Sequence, residues 1–276
     1  MSRTLAGQTL FISGASRGIG LAIAVRAARD GANVALIAKT AEPHPKLEGT
    51  VYTAAREIEE AGGQALPIVG DIRDDQSVAD AVAATVEKFG GIDICINNAS
   101  AINLSGTEAM DMKRYDLMQD INTRGTYVVS KTCVPHLKRS DNPHVLTLSP
   151  PLSLAPRWLG GHIGYTLAKY GMSLCTLGMA EEFKADGIAF NALWPKTLVA
   201  TAAVQNLLGG DAAMAKSRRP EIVADAAYAV LTRESREYTG HLALVEDVLA
   251  EAGVTDLSAY SYGGSDAELQ ADLFVD

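Results

Sequence analysis

An open, doubly wound α/β domain of the Rossmann type, with a parallel sheet of about seven strands and helices on both faces, is what this chain predicts. Three observations predict it. Short apolar runs alternate along the chain with longer segments of helical period. Several of those runs are apolar almost throughout, as strands covered on both faces require. A glycine-rich turn, Gly14-Ala15-Ser16-Arg17-Gly18-Ile19-Gly20, directly follows the first run and opens the first helical segment.

Taken in order, the strands read TLFIS (9–13), NVALIA (33–38), ALPIVG (65–70), IDICIN (92–97), HVLTLS (144–149), IAFNAL (188–193) and HLALV (241–245). Helical patterning falls at 18–29, 51–62, 75–89, 109–137, 163–186 and 221–231. Right-handed crossovers then place ligands at the carboxyl ends of the strands. Two stretches are irregular: KTAEPHPKLEG (39–49), with two prolines, and residues 253–276. Loops of that length inside a compact domain carry function or dock on the surface. A single domain over 1–276 is expected, with 253–276 as an extension packed on it.

Composition narrows the partners. Apolar residues make up 47% and charged residues 21%, enough for a buried core and ordinary for a water-soluble chain. A net charge of −9 argues against nucleic acid or an anionic membrane as the main partner. Cys95, Cys133 and Cys175 are scattered, with no CxxC pair or His–Cys cluster, so neither a disulfide frame nor a metal site is expected. No run approaches the ~18 apolar residues of a membrane span. The start lacks a signal-peptide pattern, and Phe274-Val275-Asp276 is not a Ser-Lys-Leu peroxisomal address. A soluble cytoplasmic protein is the expectation.

The chemistry is concentrated in GYTLAKYGMS, where Tyr165 and Lys169 stand four residues apart. That spacing is about one helical turn, so the phenol and the ammonium share a face. A cation beside a phenol favours the phenolate and brings its proton into use near neutrality. The glycine turn has GxxxGxG spacing. Its glycines let the backbone turn tightly beside a pyrophosphate while a helix N-terminus faces the anion. An NAD site places a carboxylate at the end of the second strand. Here that end is Ala38-Lys39, and Lys39 with Arg17 suits a ribose 2′-phosphate, so NADP(H) is expected, with NAD(H) the lesser alternative. Asp71-Ile72 ends the third strand, where the carboxylate suits an adenine amino group, and Asn98-Ala99 follows the fourth.

Together SGASRGIG, GDIRD, NNAS, DINTRG, YTLAK and NALWPK resemble the short-chain dehydrogenase/reductase family over nearly the whole chain. Longer stretches, among them LSPPLSLAPRW and NALWPKT, resemble its hydroxysteroid dehydrogenase-like branch. Larger members of that branch carry a sterol-carrier domain, and none is expected within these 276 residues. The resemblance implies strand order 3-2-1-4-5-6-7 and a homodimer or homotetramer paired through helices near 109–137 and 163–186. It implies Tyr165 as acid/base, Lys169 as its pKa modifier and ribose ligand, Asn122 as anchor of a water, and Pro195 and Thr197 beside the nicotinamide. The implied reaction interconverts an alcohol and a carbonyl. The alternative is an NADP(H)-binding protein of weak or lost catalysis, acting as sensor or scaffold.

Three departures from the family stand out. The serine that polarises the substrate oxygen meets a Pro150-Pro151 pair. Ser149, sixteen residues before Tyr165, is preferred to Ser153, twelve before it, with neither serving as the remaining option. Lys196 stands where glycine is usual, and LVEDVLAEAG replaces a strand ending in Asp-Gly-Gly. Trp158, Leu159, Trp194, Leu198, Val199, Leu207 and Leu208 lie on loops that border the pocket or pack a lid. In the first case the substrate is a sizeable apolar one of sterol, fatty-acyl or terpenoid type. His162, near Tyr165, is read as structural.

Overall fold

Seven strands lie in one parallel sheet: β1 (Thr9–Ser13), β2 (Asn33–Ala38), β3 (Gln64–Val69), β4 (Ile94–Asn97), β5 (His144–Thr147), β6 (Ala189–Trp194) and β7 (Leu242–Leu244), in the order 3-2-1-4-5-6-7. The computed structural model describes residues 3–43, 48–263 and 268–275. All strands are parallel, and the strand order reverses at β1: the chain runs outward to β2, paired Thr9 to Asn33, and then crosses back to β4, paired Leu10 to Ile94. That topological switch opens a crevice at the carboxyl ends of the strands.

Alternation along β1 assigns side chains to two layers. Leu10 and Ile12 enter the larger cluster, with Ile23 and Ala27 of α1 (Gly18–Ala28), Val223 and Ala227 of α9 (Glu221–Leu231), and Val248 of α10 (Val245–Glu251). Phe11 faces the opposite layer, with Val78 and Val82 of α3 (Asp75–Phe89) and Val129, Cys133 and Leu137 of α5 (Gly125–Leu137). The helices α2 (Val51–Glu60) and α3 start where propensity says they should. Thr50 and Thr53 exchange bonds in a capping box, and Asp74 accepts from the Gln76 amide.

The predicted helix over 109–137 is interrupted. It comprises α4 (Met112–Met118), a π-helical turn over Gln119–Arg124, and then α5. Asn122 explains the interruption. It is fully buried, its Oδ1 accepts from the Ala101 amide at 2.8 Å, and its Nδ2 donates to the Ala101 carbonyl at 3.0 Å. A wide turn swings that amide inward to clip the chain leaving β4, a use typical of π-bulges near functional sites. The predicted helix over 163–186 is α7 (Ile163–Glu182), preceded by the short α6 (Pro156–Gly160). A further π-helical turn (Val204–Leu208) and α8 (Gly210–Ala215) lie between β6 and α9. Among the described residues no helix is long and apolar enough to cross a membrane.

Candidate active site

A cleft of about 760 Å³ opens at the carboxyl ends of β1, β2 and β4. Its walls carry Gly14, Ser16, Arg17, Gly18, Ile19, Lys39, Asp71, Ile72, Asn98 and Ala99, all expected from sequence, together with Thr201, Asn206 and Leu207. Gly14 has φ +72°, and a Cβ there would stand 2.8 Å from the Ala99 Cα, so the turn can pass under Ala99 only as glycine. Asn98 braces the same turn, donating from Nδ2 to the Gly14 carbonyl at 2.8 Å. No side chain caps the N-terminus of α1, which leaves its first-turn amides open to an anion. Ala15 and Gly20 are buried behind the turn.

Charge around the cleft is arranged differently from expectation in one respect. The Arg17 guanidinium is already engaged, Nε with the Glu48 carbonyl at 2.8 Å and Nη2 with the Gly49 carbonyl at 2.6 Å. Lys39 Nζ stands 3.2 Å from Asp71 and is mostly exposed, while Arg73 grips Asp71 with a shortest contact of 2.6 Å. The two cations, Arg73 first, hold the Asp71 carboxyl well below the usual range. Sequence reasoning missed Arg73, although GDIRD places it two residues after Asp71. His44, Pro45, Lys46 and Leu47 of the proline-bearing stretch lie outside the described residues.

The reactive pair sits deeper. Tyr165 and Lys169 are both buried in α7, at 4% and 3% exposure. Lys169 Nζ donates to the Leu148 carbonyl at 2.8 Å and lies 5.0 Å above the Trp194 ring. Ser149 follows Leu148 directly. Its Oγ is buried and has no hydrogen-bond partner among the described residues. Ser153 differs, because its Oγ accepts from the Ala155 amide at 3.3 Å. The π-helical turn docks on α7 beside the pair: Thr123 Oγ1 donates to the Ala168 carbonyl at 3.0 Å and Gln119 Nε2 to the Gly164 carbonyl at 3.2 Å. The turn thus brings Asn122 to the neighbourhood of Lys169.

Burial reverses the expected shift of the phenol. Desolvation, then the nearby Asp272 carboxyl, pushes Tyr165 well above its ordinary value. Desolvation brings Lys169 down to about 7, and Asp272 opposes that shift. Asp272 is itself pushed up to about 7, chiefly by burial. His162 is buried too and its pKa is lowered. Its Nδ1 lies 3.1 Å from Thr166 Oγ1, a helix-start contact in keeping with a structural role.

Residues 268–275, seen in sequence only as an irregular extension, cover this end of the site. The Leu198 amide donates to the Gln270 carbonyl at 2.9 Å, Thr197 bridges Ala271, and the Asp272 amide donates to the Lys196 carbonyl at 3.0 Å. Pro195, Thr197, Tyr165 and Lys169 therefore do not line the open cleft. Thr197 Oγ1 is a second buried hydroxyl with no partner among the described residues. Phe274 lies among Trp158, His162, Tyr165, Tyr170 and Trp194, at 5.3 to 6.2 Å between ring centroids. The apolar loop residues divide accordingly. Trp158, Leu159 and Trp194 join that aromatic cluster, Leu198 and Leu208 pack around α8, Val199 enters the main core, and Leu207 is exposed. The signal available in sequence was the Leu273-Phe274-Val275 run inside a polar stretch.

Two departures noted separately prove to be neighbours. The Lys196 amide donates to Glu246 Oε2 at 2.8 Å, and its ammonium pairs with Asp247. A lysine after Pro195 and an acidic pair after β7 answer one another.

Comparison with known proteins agrees with this architecture. The sequence profile of the short chain dehydrogenase family matches residues 8–210. Hydroxysteroid dehydrogenase-like protein 2 of Danio rerio is 57% identical over 272 residues, 99% of this chain and 65% of the relative, so the chain spans under two thirds of that relative's length. A short chain dehydrogenase of Mycobacterium thermoresistibile superposes with a TM-score of 0.93 at 67% identity, covering 99% of this chain and 96% of the other. The NADH-dependent reductase A1-R′ gives a TM-score of 0.70 at 28% identity, covering 87% and 96%.

Proposed function

Since the chain belongs to the short chain dehydrogenase family, we propose that it is an NADP(H)-dependent oxidoreductase that interconverts an alcohol and a carbonyl on an apolar substrate, with Tyr165 as acid/base. The observation that carries this reading is the buried, unpartnered hydroxyl of Ser149. It follows the strand-end carbonyl that holds Lys169, one helical turn from Tyr165. A buried hydroxyl without a partner is costly unless a ligand supplies one.

The residues fit a dinucleotide. The open N-terminus of α1 suits the pyrophosphate, the orphaned Thr197 hydroxyl suits the nicotinamide end, and the mostly exposed Lys39 at the cleft wall suits a 2′-phosphate. When bound, the nicotinamide gives or takes a hydride. The chain's own residues do the rest. In the reductive direction Tyr165 Oη gives its proton to the carbonyl oxygen, while Ser149 Oγ donates a hydrogen bond to that same oxygen. Lys169 stabilises the phenolate that remains, and Asn122 fixes the Ala101 loop beside the nicotinamide end. The same steps in reverse serve oxidation. The NADH dependence of the 28%-identical reductase belongs to that protein; here Lys39, and not a carboxylate, directly follows β2.

Tyr165→Phe should lower kcat by about 10²–10⁴ while NADPH binding stays unchanged and tighter than NADH binding. Steady-state kinetics and two fluorescence titrations measure all three quantities. Retained turnover overturns the role of Tyr165, and tighter NADH binding overturns the cofactor assignment.

A further inference from the structure

The segment Gln270–Val275 reaches both members of the reactive pair. Its Asp272 carboxyl is buried within electrostatic reach of Lys169 and Tyr165, and its Phe274 ring joins the aromatic cluster around Tyr165. Trp194 Nε1 anchors it, donating to the Leu273 carbonyl at 2.8 Å. With the segment in place Tyr165 is only 4% exposed.

Backbone conformation marks this as a held position and not a relaxed one. Phe274 has φ +67°, making it the only non-glycine residue with positive φ among the described residues. A bulky L-residue adopts that conformation only where its surroundings hold it. The Asp272 carboxyl accepts from the Leu273 amide at 2.7 Å, and burial pushes its pKa up to about 7. The backbone strain at Phe274 eases if the segment swings into solvent. The cage it would leave is ring-lined: Trp158 and Tyr170 meet Phe274 at interplanar angles near 50°, and His162 meets it edge-on at 85°. Tilted and edge-on pairs are the arrangements that planar rings favour.

We propose that Gln270–Val275 is a displaceable plug on the substrate side of the active site, with Phe274 occupying the place of a planar, ring-bearing ketone or aldehyde. The proposal rests on the oxidoreductase reading only for the identity of the reacting carbonyl. Substrate entry and segment release are one event, so the closed form is self-inhibited. Affinity for substrate is reduced by the fraction of time the site is closed.

Both tryptophans of the chain, Trp158 and Trp194, contact Phe274, so intrinsic fluorescence reports on the plug directly. Acetophenone, a small aryl ketone that quenches indole emission, serves as the probe on the full chain saturated with NADPH. Phe274→Ala should bind acetophenone at least about tenfold more tightly than the parent, the factor expected for a site closed about nine-tenths of the time. Phe274→Leu, which retains a bulky apolar plug, should fall between the two. In the unaltered protein, acetophenone should speed hydrogen exchange at the Asp272 amide. Equal or weaker binding by Phe274→Ala, or exchange at Asp272 that acetophenone leaves unchanged or slows, overturns the proposal. NADPH oxidation with acetophenone separates the two readings. Tighter binding without turnover sustains the plug and sinks the oxidoreductase reading, and turnover without tighter binding does the reverse.

Discussion

Ser149 and Ser153 differ by four positions and by what their hydroxyls meet. Ser149 Oγ is sealed from solvent with nothing to bond, whereas Ser153 Oγ closes a local turn on the Ala155 amide. A donor held in place for an oxygen that gains charge in the transition state is worth more than one closing a turn. Ser149→Ala should therefore cost about 10²–10³ in kcat with cofactor affinity intact, and Ser153→Ala should leave kcat within about twofold. Matched kinetics of the two variants decide it, and equal effects would remove Ser149 from the mechanism. Spacing to Tyr165 could not choose between them, because the Pro150-Pro151 loop alters the count. Burial could, and burial of a single hydroxyl is not written in local sequence. The same limit hid Asp272 and Phe274, whose significance comes only from long-range contact.

At the scale of elements, α7 serves two surfaces. Its inner side is fitted to the π-helical turn so closely that a Cβ on Gly171 would stand 2.3 Å from Thr123 Oγ1. Its outer side leaves Leu167 and Leu174 exposed at 49% and 58%, and the adjoining α5 exposes Tyr127 at 52%. Exposed apolar side chains two helical turns apart suit a second copy of the chain, the pairing surface that the family resemblance implies. Leu174→Glu should convert a dimer or tetramer to a smaller species in sedimentation velocity, and an unchanged sedimentation coefficient would exclude this face. Strands and most helices were legible because their periods are local: 2 where one face differs from the other, 3.6 on helices, unbroken apolar runs inside the sheet. The interruption before α5 was not legible, since DINTRG reads as ordinary helix until Asn122 finds Ala101.

For the molecule as a whole, acid tolerance depends on a buried imidazole. His144 in β5 is 1% exposed, and its Nε2 lies 3.1 Å from the Arg233 carbonyl. Burial lowers its pKa from 6.5 to about 4, so the folded chain keeps it neutral where the unfolded chain protonates it. The unfolded state then binds more protons between those values. Stability is lost as pH falls from 6.5 toward 4, by about 3 kcal/mol in all. His144→Leu should be less stable at neutral pH yet show a flatter decline, as read from urea midpoints across that range; an unchanged slope refutes the assignment. The strand order was implied in advance by the family resemblance, and the cofactor cleft by a turn whose glycines sit at a strand end. The covered substrate side was not, because extension and site are joined only in three dimensions. The π-helical turn over Gln119–Arg124 carries one consequence of its own. It holds an extra residue in the helical path, and each residue turns the helix by about 100°. Upstream of it the helix keeps phase with α7; downstream, Ser130 and Cys133 keep phase with β4. Removing a single residue there would not shorten a loop. It would rotate half of a helix out of step with the sheet, so this stretch should tolerate side-chain replacement far better than any change in length.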